Sequence, residues 1–238
     1  MAKGTLIVIL GLLLVLVVLG ACTVLPRHSP ETGSPVVLSS GEVTLPTPDL
    51  KGGMAVEAAL QGRRSERQYG DQPLSLDGLS QILWAAQGVT GSQGYRTAPS
   101  AGGLYPLEIL VAAGDVEGIA DGVYRYRPVS HSLVPVIAGD RREALSSAAL
   151  DQSAVQEAPA VIIIAAVPAR TTVKYGERGM RYVYMEAGHA SQNVYLQAES
   201  LGLSTVAIGA FQDEEVAAAA GLEPGEVPLY LMPVGSPA

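Results

Sequence analysis

The chain has 238 residues and a formal net charge of −8, from 23 acidic and 15 basic side chains. An acidic balance without a basic run argues against nucleic acid as a partner and against electrostatic capture by an anionic bilayer. Cys22 is the only cysteine, which excludes disulfides, cysteine-based metal clusters and a cysteine nucleophile.

The N-terminus carries the pattern of an export signal. Lys3 precedes an almost wholly apolar run over residues 5–20, and Leu19-Gly20-Ala21-Cys22 closes it. This ending resembles the lipobox of bacterial lipoproteins, in which the cysteine becomes the lipidated first residue of the mature chain. We therefore expect residues 1–22 to be a lipoprotein signal peptide and Cys22 to be lipidated. The protein would be anchored on the outer face of the cytoplasmic membrane or in the periplasm or outer membrane. A plain transmembrane anchor is the alternative, since a span needs about 20 residues.

A tether is predicted over residues 23–52, where five prolines lie among serine, threonine and glycine without a sustained hydrophobic period. The remaining residues, 53–238, are enough for one domain with its own core and few for two. One folded domain is therefore predicted after the tether.

An arginine cluster follows the first predicted helix, which covers residues 54–60 and stops at Gly62. Arg63, Arg64 and Arg67 flank Ser65 there. A guanidinium is always charged and can bind a phosphate through two parallel hydrogen bonds, and a serine hydroxyl adds another donor. The cluster is a candidate phosphate site, and a solvated basic turn is the alternative.

A loop rich in glycine and proline lies within residues 96–108, and its side chains are too small to fill a core. Glycine lets backbone N–H groups approach a ligand closely, and proline stiffens the loop. The loop could therefore hold a flat cofactor, although glycine and proline also mark ordinary surface turns. Its candidate residues are Pro99, Ser100, Ala101, Gly102 and Gly103.

The other elements follow from periodicity and capping. Ser75 is predicted to cap a helix that ends at Gly88 and keeps Trp84 in the core. Strands are expected at 107–113 and 160–167, the latter at the centre of the sheet, with a hairpin of 123–127 and 133–137 that exposes His131 at its tip. Helices are expected from Asp140 to Ala148, over about 181–201 up to Gly202, and from a cap at Asp213 to Ala220. Strands at 204–210 and 227–234 complete an α+β order.

Five segments occur in the order seen in nitroreductase-fold flavoproteins of the SagB/ThcOx type, and the chain resembles this family over nearly everything after the tether. They are RRSER, PSAGGLYPLE, KYGERGMRYVYMEAGHASQNVYLQAESLGL, AIGAF and VPLYLMPVG. The resemblance implies a mixed, mainly antiparallel sheet flanked by helices, and a homodimer with FMN at the subunit interface. The small residues on one face of the long helix, such as Ala190 and Ala198, would allow a close approach of the partner.

The resemblance also implies roles for individual residues. Arg63, Ser65 and Arg67 would hold the phosphate and ribityl end of FMN, and residues 99–103 would lie against the isoalloxazine ring. Gly209 and Ala210 would lie near the ring on the strand side. Lys174-Tyr175 matches a Lys-Tyr pair that is linked to catalysis in azoline-oxidising members. Tyr175 would remove a proton as hydride leaves for flavin N5. An exported lipoprotein departs from those members, which modify peptides in the cytoplasm.

Two alternatives remain from the residues themselves. Ser100 with Asp115 and His189 approximates the residue set of a serine hydrolase, but an elbow needs a strand before the serine and a helix after it. The domain could also keep the flavin pocket as a binding module without turnover. No P-loop or dinucleotide fingerprint occurs, and no metal-binding spacing accompanies His189.

Overall fold

The computed structural model describes residues 41–238 of the chain. The predicted signal peptide, the lipidation site Cys22 and the tether up to residue 40 lie outside these residues. Within the described part, no helix is long and apolar enough to cross a membrane.

Seven helices and seven strands make up the described part of the chain. The helices are α1 Val56–Gly62, α2 Leu76–Gln87, α3 Arg142–Ala148, α4 Ser153–Glu157, α5 Ala169–Tyr175, α6 Arg178–Leu201 and α7 Asp213–Ala220. The strands are β1 Val43–Thr44, β2 Leu107–Ala113, β3 Gly122–Arg127, β4 Ser132–Ala138, β5 Ala160–Ala166, β6 Ser204–Thr205 and β7 Val227–Gly235.

The strands form one sheet in the order β1-β4-β3-β2-β5-β7-β6, and every pairing between them is antiparallel. The parallel component expected from the sequence occurs only as an isolated bridge between Leu74 and Val116. All seven residues of β5 are buried, because helices cover both faces of the sheet. Its side chains alternate between two cores: Ile162 and Ile164 pack with α2 and α6, and Ile163 packs with α3 and α7.

Local capping chemistry sets the ends of two helices as predicted. The Ser75 side chain accepts a hydrogen bond from the Gly78 N–H at 3.1 Å, which satisfies one of the free donors in the first turn of α2. Gly202 ends α6 in the left-handed conformation, with φ of 67°, which a residue without a Cβ adopts at little cost. Strand β2 and the β3–β4 hairpin also lie where the sequence predicts them.

Several boundaries differ from the prediction. The expected strand over 204–210 is paired only at Ser204–Thr205 and through a bridge at Ile208, so Gly209 and Ala210 lie in a loop. Asp213 is the first residue of α7 and does not cap it; Gln212 precedes the helix and makes no side-chain cap. The end of the predicted tether joins the domain, because β1 pairs with β4 and Leu45 is 5% exposed in the core.

Two aromatic side chains also lie elsewhere than expected. Trp84 is half-buried along a surface groove rather than in the core. His131 is not a solvated tip: its ring nitrogens bond to the hydroxyls of Tyr126 and Ser80, both at 2.8 Å, and one contacts the Pro46 carbonyl at 3.0 Å. Burial lowers the pKa of His131, partly offset by that carbonyl. The histidine therefore fastens the hairpin to the segment that follows β1.

Candidate functional site

Helix α6 contacts each group of candidate site residues. Near its beginning Tyr182 packs edge-on against Tyr175, with ring centroids 5.0 Å apart. Glu186 lies beside Ser100 of the glycine-rich loop, and Tyr195 bonds to Ser65 of the arginine cluster at 2.9 Å. Nine residues separate Glu186 from Tyr195, which is about 13.5 Å along a helix axis. Within one chain, only an elongated ligand could therefore contact the surroundings of both Glu186 and Tyr195.

The arginine cluster is anchored to α6 through Tyr195. The Ala207 N–H donates to the Tyr195 hydroxyl at 2.7 Å, and Tyr195 can in turn donate to Ser65. That arrangement leaves the Ser65 hydroxyl proton for a ligand. The Arg63 guanidinium carbon lies 5.3 Å from the centre of the Tyr195 ring, in a cation–π contact.

The three guanidiniums of the cluster are held differently. Arg64 donates to the carbonyls of Gln61 at 3.0 Å and Arg63 at 2.8 Å, so its side chain caps the end of α1. Neither Arg63 nor Arg67 forms an ion pair with a carboxylate of residues 41–238. Arg63 and Arg67 therefore keep donors for an anion, and Arg64 uses only its Nη1 atom in these bonds to the backbone.

The glycine-rich loop lies against the Lys174-Tyr175 pair. A Cβ on Gly102 would stand 2.7 Å from the Tyr175 hydroxyl and 2.9 Å from Lys174 Nζ, so only glycine fits there without a shift. Gly102 and Gly103 both have φ of 65°, which disfavours any residue with a Cβ. Pro99, Gly102 and Gly103 are exposed, and Ser100 and Ala101 are half-buried. The loop therefore offers backbone and small side chains at the surface beside a phenol and an ammonium.

A buried carboxyl supports this loop from below. Glu186 is 2% exposed, and its Oε1 has no hydrogen-bond partner among the described residues. Burial raises the pKa of Glu186 to about 7, while Ser100, Arg96 and Gln87 act in the opposite direction. The Ser100 hydroxyl in turn accepts a hydrogen bond from the Tyr105 N–H at 2.9 Å. Glu186 is thus poised to exchange a proton near neutral pH directly beneath the loop.

Gly209, which precedes Ala210 in the loop, lines one side of a cavity of about 380 Å³. Tyr184 and Ala187 of α6 line the same cavity, together with Tyr230 of β7. The Ala210 carbonyl accepts a hydrogen bond from the Gln152 side chain at 3.1 Å, which fixes this loop. The strand-side residues are therefore next to α6, as are the two other groups.

The serine hydrolase alternative has no assembled triad. The Ser100 hydroxyl accepts a hydrogen bond from the Tyr105 N–H and lies beside Glu186, whereas His189 is exposed on α6. Ser100 precedes β2 and Asp115 follows it, so a seven-residue strand of about 23 Å separates them. These three residues cannot act together on one substrate within the chain.

Two residues of the site, Glu186 and Tyr195, were not predicted from the sequence. Both lie on the buried face of α6 with Ala187, Val194 and Ala198. A polar side chain on an otherwise apolar helical stripe is the signal that could have identified them, because such a group is buried only with partners or a function.

Comparisons with known proteins agree with this geometry. Residues 60–236 match the family model described as the nitroreductase family. The chain is 50% identical over 188 residues to MJ1384 of Methanocaldococcus jannaschii, which carries a provisional nitroreductase name; the match covers 79% of this chain and 93% of that protein. It is 29% identical over 133 residues to the microcin B17-processing protein McbC of Escherichia coli, over 54% of this chain and 49% of McbC.

A solved structure gives the same result. The crystal structure of a provisionally named nitroreductase from Ralstonia eutropha JMP134 superposes with a TM-score of 0.75 and 34% identity, covering 86% of this chain and 93% of that one. Because the family model spans most of the sequence and a half-identical relative is matched along nearly its whole length, the chain belongs to the nitroreductase family, whose members are generally flavin-dependent oxidoreductases.

Proposed function

We propose that this protein is an FMN-dependent oxidoreductase of the SagB/ThcOx type that takes hydride from an organic substrate and passes the electrons to a separate acceptor. The observation that carries the proposal is the packing of Gly102 against Lys174 and Tyr175. It brings a backbone surface suited to a flat ring next to a side chain that can move a proton. The similarity to McbC, a microcin-processing protein, supports the placement of this chain among relatives of the SagB/ThcOx type.

The residues of the arginine cluster fit the phosphate end of FMN. Arg63 and Arg67 lack a carboxylate partner among the described residues, and the Ser65 hydroxyl is oriented by Tyr195. A phosphate there would receive charge-assisted hydrogen bonds, the stronger class of such bonds. Arg64 fixes the turn through its Nη1 atom, and its other donors remain for the phosphate.

The glycine-rich loop and the Gly209–Ala210 loop fit the ring end. Residues 99–103 present no bulky side chain, so a planar ring can approach the backbone. Gly209 and Ala210 are exposed, and Gly209 lines a cavity that would admit the ring or the substrate. We assign these two loops to opposite sides of the isoalloxazine system.

Bound FMN supplies a two-electron hydride acceptor at N5. Tyr175 accepts the substrate proton that accompanies hydride loss, and the Lys174 ammonium lies 5.4 Å from the centre of the Tyr175 ring. The Tyr182 ring, packed edge-on, holds the phenol in place. Gly102 lets the phenol and ammonium approach the loop.

Purification of the full chain tests the proposal through the absorbance spectrum and the FMN content. About one non-covalent FMN per chain is expected. Arg63→Ala and Arg67→Ala should each weaken FMN binding about tenfold to a hundredfold, because a charge-assisted hydrogen bond is worth roughly 1.5–3 kcal/mol. Arg181→Ala, a change at an exposed position of α6, serves as the matched control. Protein that fails to bind added FMN would refute the assignment, and flavin-loaded protein that no substrate reduces would indicate a binding module.

We further propose a homodimer. The alanine face of α6 does not supply the interface, since Ala187, Ala190 and Ala198 are buried against the chain's own core. Exposed apolar side chains at Val173 and Met185 favour a partner instead, with exposed fractions of 84% and 52%. Sedimentation of the flavin-loaded protein tests this, and a concentration-independent monomer would contradict it.

Lipidation at Cys22, and with it an exported and membrane-anchored location, rests on the lipobox pattern alone. Cys22→Ser should leave the precursor unprocessed by the lipoprotein peptidase. Normal processing of that variant would refute the assignment.

A further inference from the structure

A second, strongly cationic cavity lies apart from the residues assigned to the flavin. It has a volume of about 310 Å³ and lies between the start of β2, the β3–β4 turn and α5. Arg96, Arg127 and Arg170 line it, and Glu108 is its one acidic residue within the described chain. A cavity of this size is at the lower end of small-molecule sites.

Glu108 cannot neutralise these arginines because its carboxylate is already committed. Its Oε1 lies 2.6 Å from Arg170 and its Oε2 lies 3.1 Å from Arg125, a buried residue outside the cavity lining. Arg170 also donates to the Tyr105 carbonyl at 3.2 Å. Each carboxylate oxygen thus has one guanidinium, and the other two arginines of the cavity receive no ion pair from Glu108.

Arg96 is a half-buried cation whose charge is not balanced by a nearby carboxylate among the described residues. It donates to the Gln87 side chain at 2.8 Å and lies 4.6 Å from the centre of the Tyr105 ring, but no carboxylate of residues 41–238 is within 4 Å. Burial lowers its pKa, against the influence of Glu108 and Glu186. A desolvated cation of this kind gains more from a bound anion than an exposed one does.

Arg127 faces the cavity from the hairpin and is exposed. Its charge interacts with Glu42, whose carboxylate is engaged by the hydroxyls of Ser130 and Ser132. Val129, which is 90% exposed, adds an apolar wall at the mouth of the cavity. The opening therefore combines two guanidiniums that have no carboxylate partner among the described residues with a small apolar surface.

We propose that this cavity binds the carboxylate or phosphate group of a small organic molecule, with Arg96 and Arg127 contacting the anion and Val129 contacting a short apolar body. The planar forks of two arginines match the paired oxygens of either group. The proposal does not depend on flavin chemistry, and its test reads binding directly.

The full chain, saturated with FMN so that a phosphate site at the arginine cluster is filled, is titrated with butanoate, propyl phosphate and the neutral butanamide. Backbone amide chemical shifts are followed by NMR. One site per chain is expected, with shifts at Arg96, Tyr126, Arg127 and Arg170, and butanamide should bind at least about tenfold more weakly than the better anion. Tighter binding of butanoate identifies a carboxylate ligand, and tighter binding of propyl phosphate identifies a phosphate ligand.

Arg127→Gln should weaken the better anion about tenfold, and Arg181→Gln should not. Arg127 is exposed and makes no ion pair with a described residue, so its replacement leaves the fold intact even where Arg96→Gln does not. Equal affinity for butanamide, shifts confined to residues around Arg63, or unchanged affinity in Arg127→Gln would each overturn the proposal. If FMN fails to bind, the shifts around Arg96 still test the cavity on their own.

Discussion

The hydroxyl oxygen of Tyr175 lies 2.7 Å from the point that a Cβ atom on Gly102 would occupy. The contact joins α5 to the glycine-rich loop, and a larger residue at position 102 would displace the Tyr175 and Lys174 side chains. Gly103, the next residue, has the same φ of 65° but no atom within 4 Å of its Cβ position. The two glycines therefore separate the effect of close packing from the effect of backbone conformation.

Gly102→Ala is expected to slow flavin reduction by substrate and to lower stability by more than Gly103→Ala. Both variants bear the cost of a left-handed alanine, about 1–2 kcal/mol, but only Gly102→Ala displaces Tyr175 and Lys174. Stopped-flow reduction and chemical denaturation of both variants measure the difference. Equal behaviour of the two would show that the contact is dispensable.

Tyr175→Phe should retain FMN and slow substrate-driven flavin reduction by about 10² to 10⁴, because proton transfer by a positioned group contributes that much. Reduction by dithionite bypasses the residue and should be unchanged. Tyr182→Phe is the matched control, since it removes the neighbouring hydroxyl, which accepts a bond from Arg178 at 3.2 Å. If substrate reduces the flavin of Tyr175→Phe as fast as that of the parent protein, Tyr175 does not transfer the proton and serves only in packing.

Glu186→Gln should remove a pH dependence of stability. The folded pKa of about 7 lies above the ordinary value of 4.5, so the folded state holds the proton between these pH values. The contribution of Glu186 is therefore most favourable below pH 4.5 and is lost as pH rises through 7, by at most about 3 kcal/mol. Urea denaturation from pH 4.5 to 8.5 measures this. The free energy of unfolding of Glu186→Gln, relative to that of the parent protein, should increase as the pH rises. Exposed Glu57→Gln is the control, and parallel pH profiles for Glu186→Gln and the parent would contradict the prediction.

Arg125→Met should destabilise the protein by about 3–5 kcal/mol, because it leaves the buried Glu226 carboxylate without its partner. Arg125 is 4% exposed and bonds to Glu226 at 2.7 and 2.9 Å and to Glu108 at 3.1 Å. Burial alone would raise the pKa of Glu226, but the Arg125 hydrogen bonds and charge hold it below its usual value. This contribution is present above the ordinary carboxyl pKa and is lost as pH falls.

The double variant Arg125→Met/Glu226→Gln tests whether the unpaired charge causes the loss of stability in Arg125→Met. It should recover part of the loss in a thermal or chemical melt at pH 7, since one of the unpaired charges is then absent. A double variant less stable than Arg125→Met alone would show that packing, rather than charge, accounts for the loss.

Several features of this protein could be predicted from short segments of its sequence. The Ser75 cap and the Gly202 stop depend on neighbouring residues along the chain, and the apolar run 160–166 needs no partner to be identified as a buried strand. The arginine cluster and the glycine-rich loop were likewise singled out from residue type. The order of the motifs indicated a nitroreductase fold of the SagB/ThcOx type, of which the comparisons confirm the nitroreductase family.

Only the tertiary structure decided which of these residues meet. Ser65 and Tyr195 are 130 residues apart in sequence, and no periodicity predicts their hydrogen bond. Glu186 has its raised pKa because α6 lies beneath the loop, and His131 is half-buried because the segment after β1 folds over the hairpin. Such contacts depend on how helices and strands pack across the sheet, whereas caps, turns and apolar runs depend on a few consecutive residues.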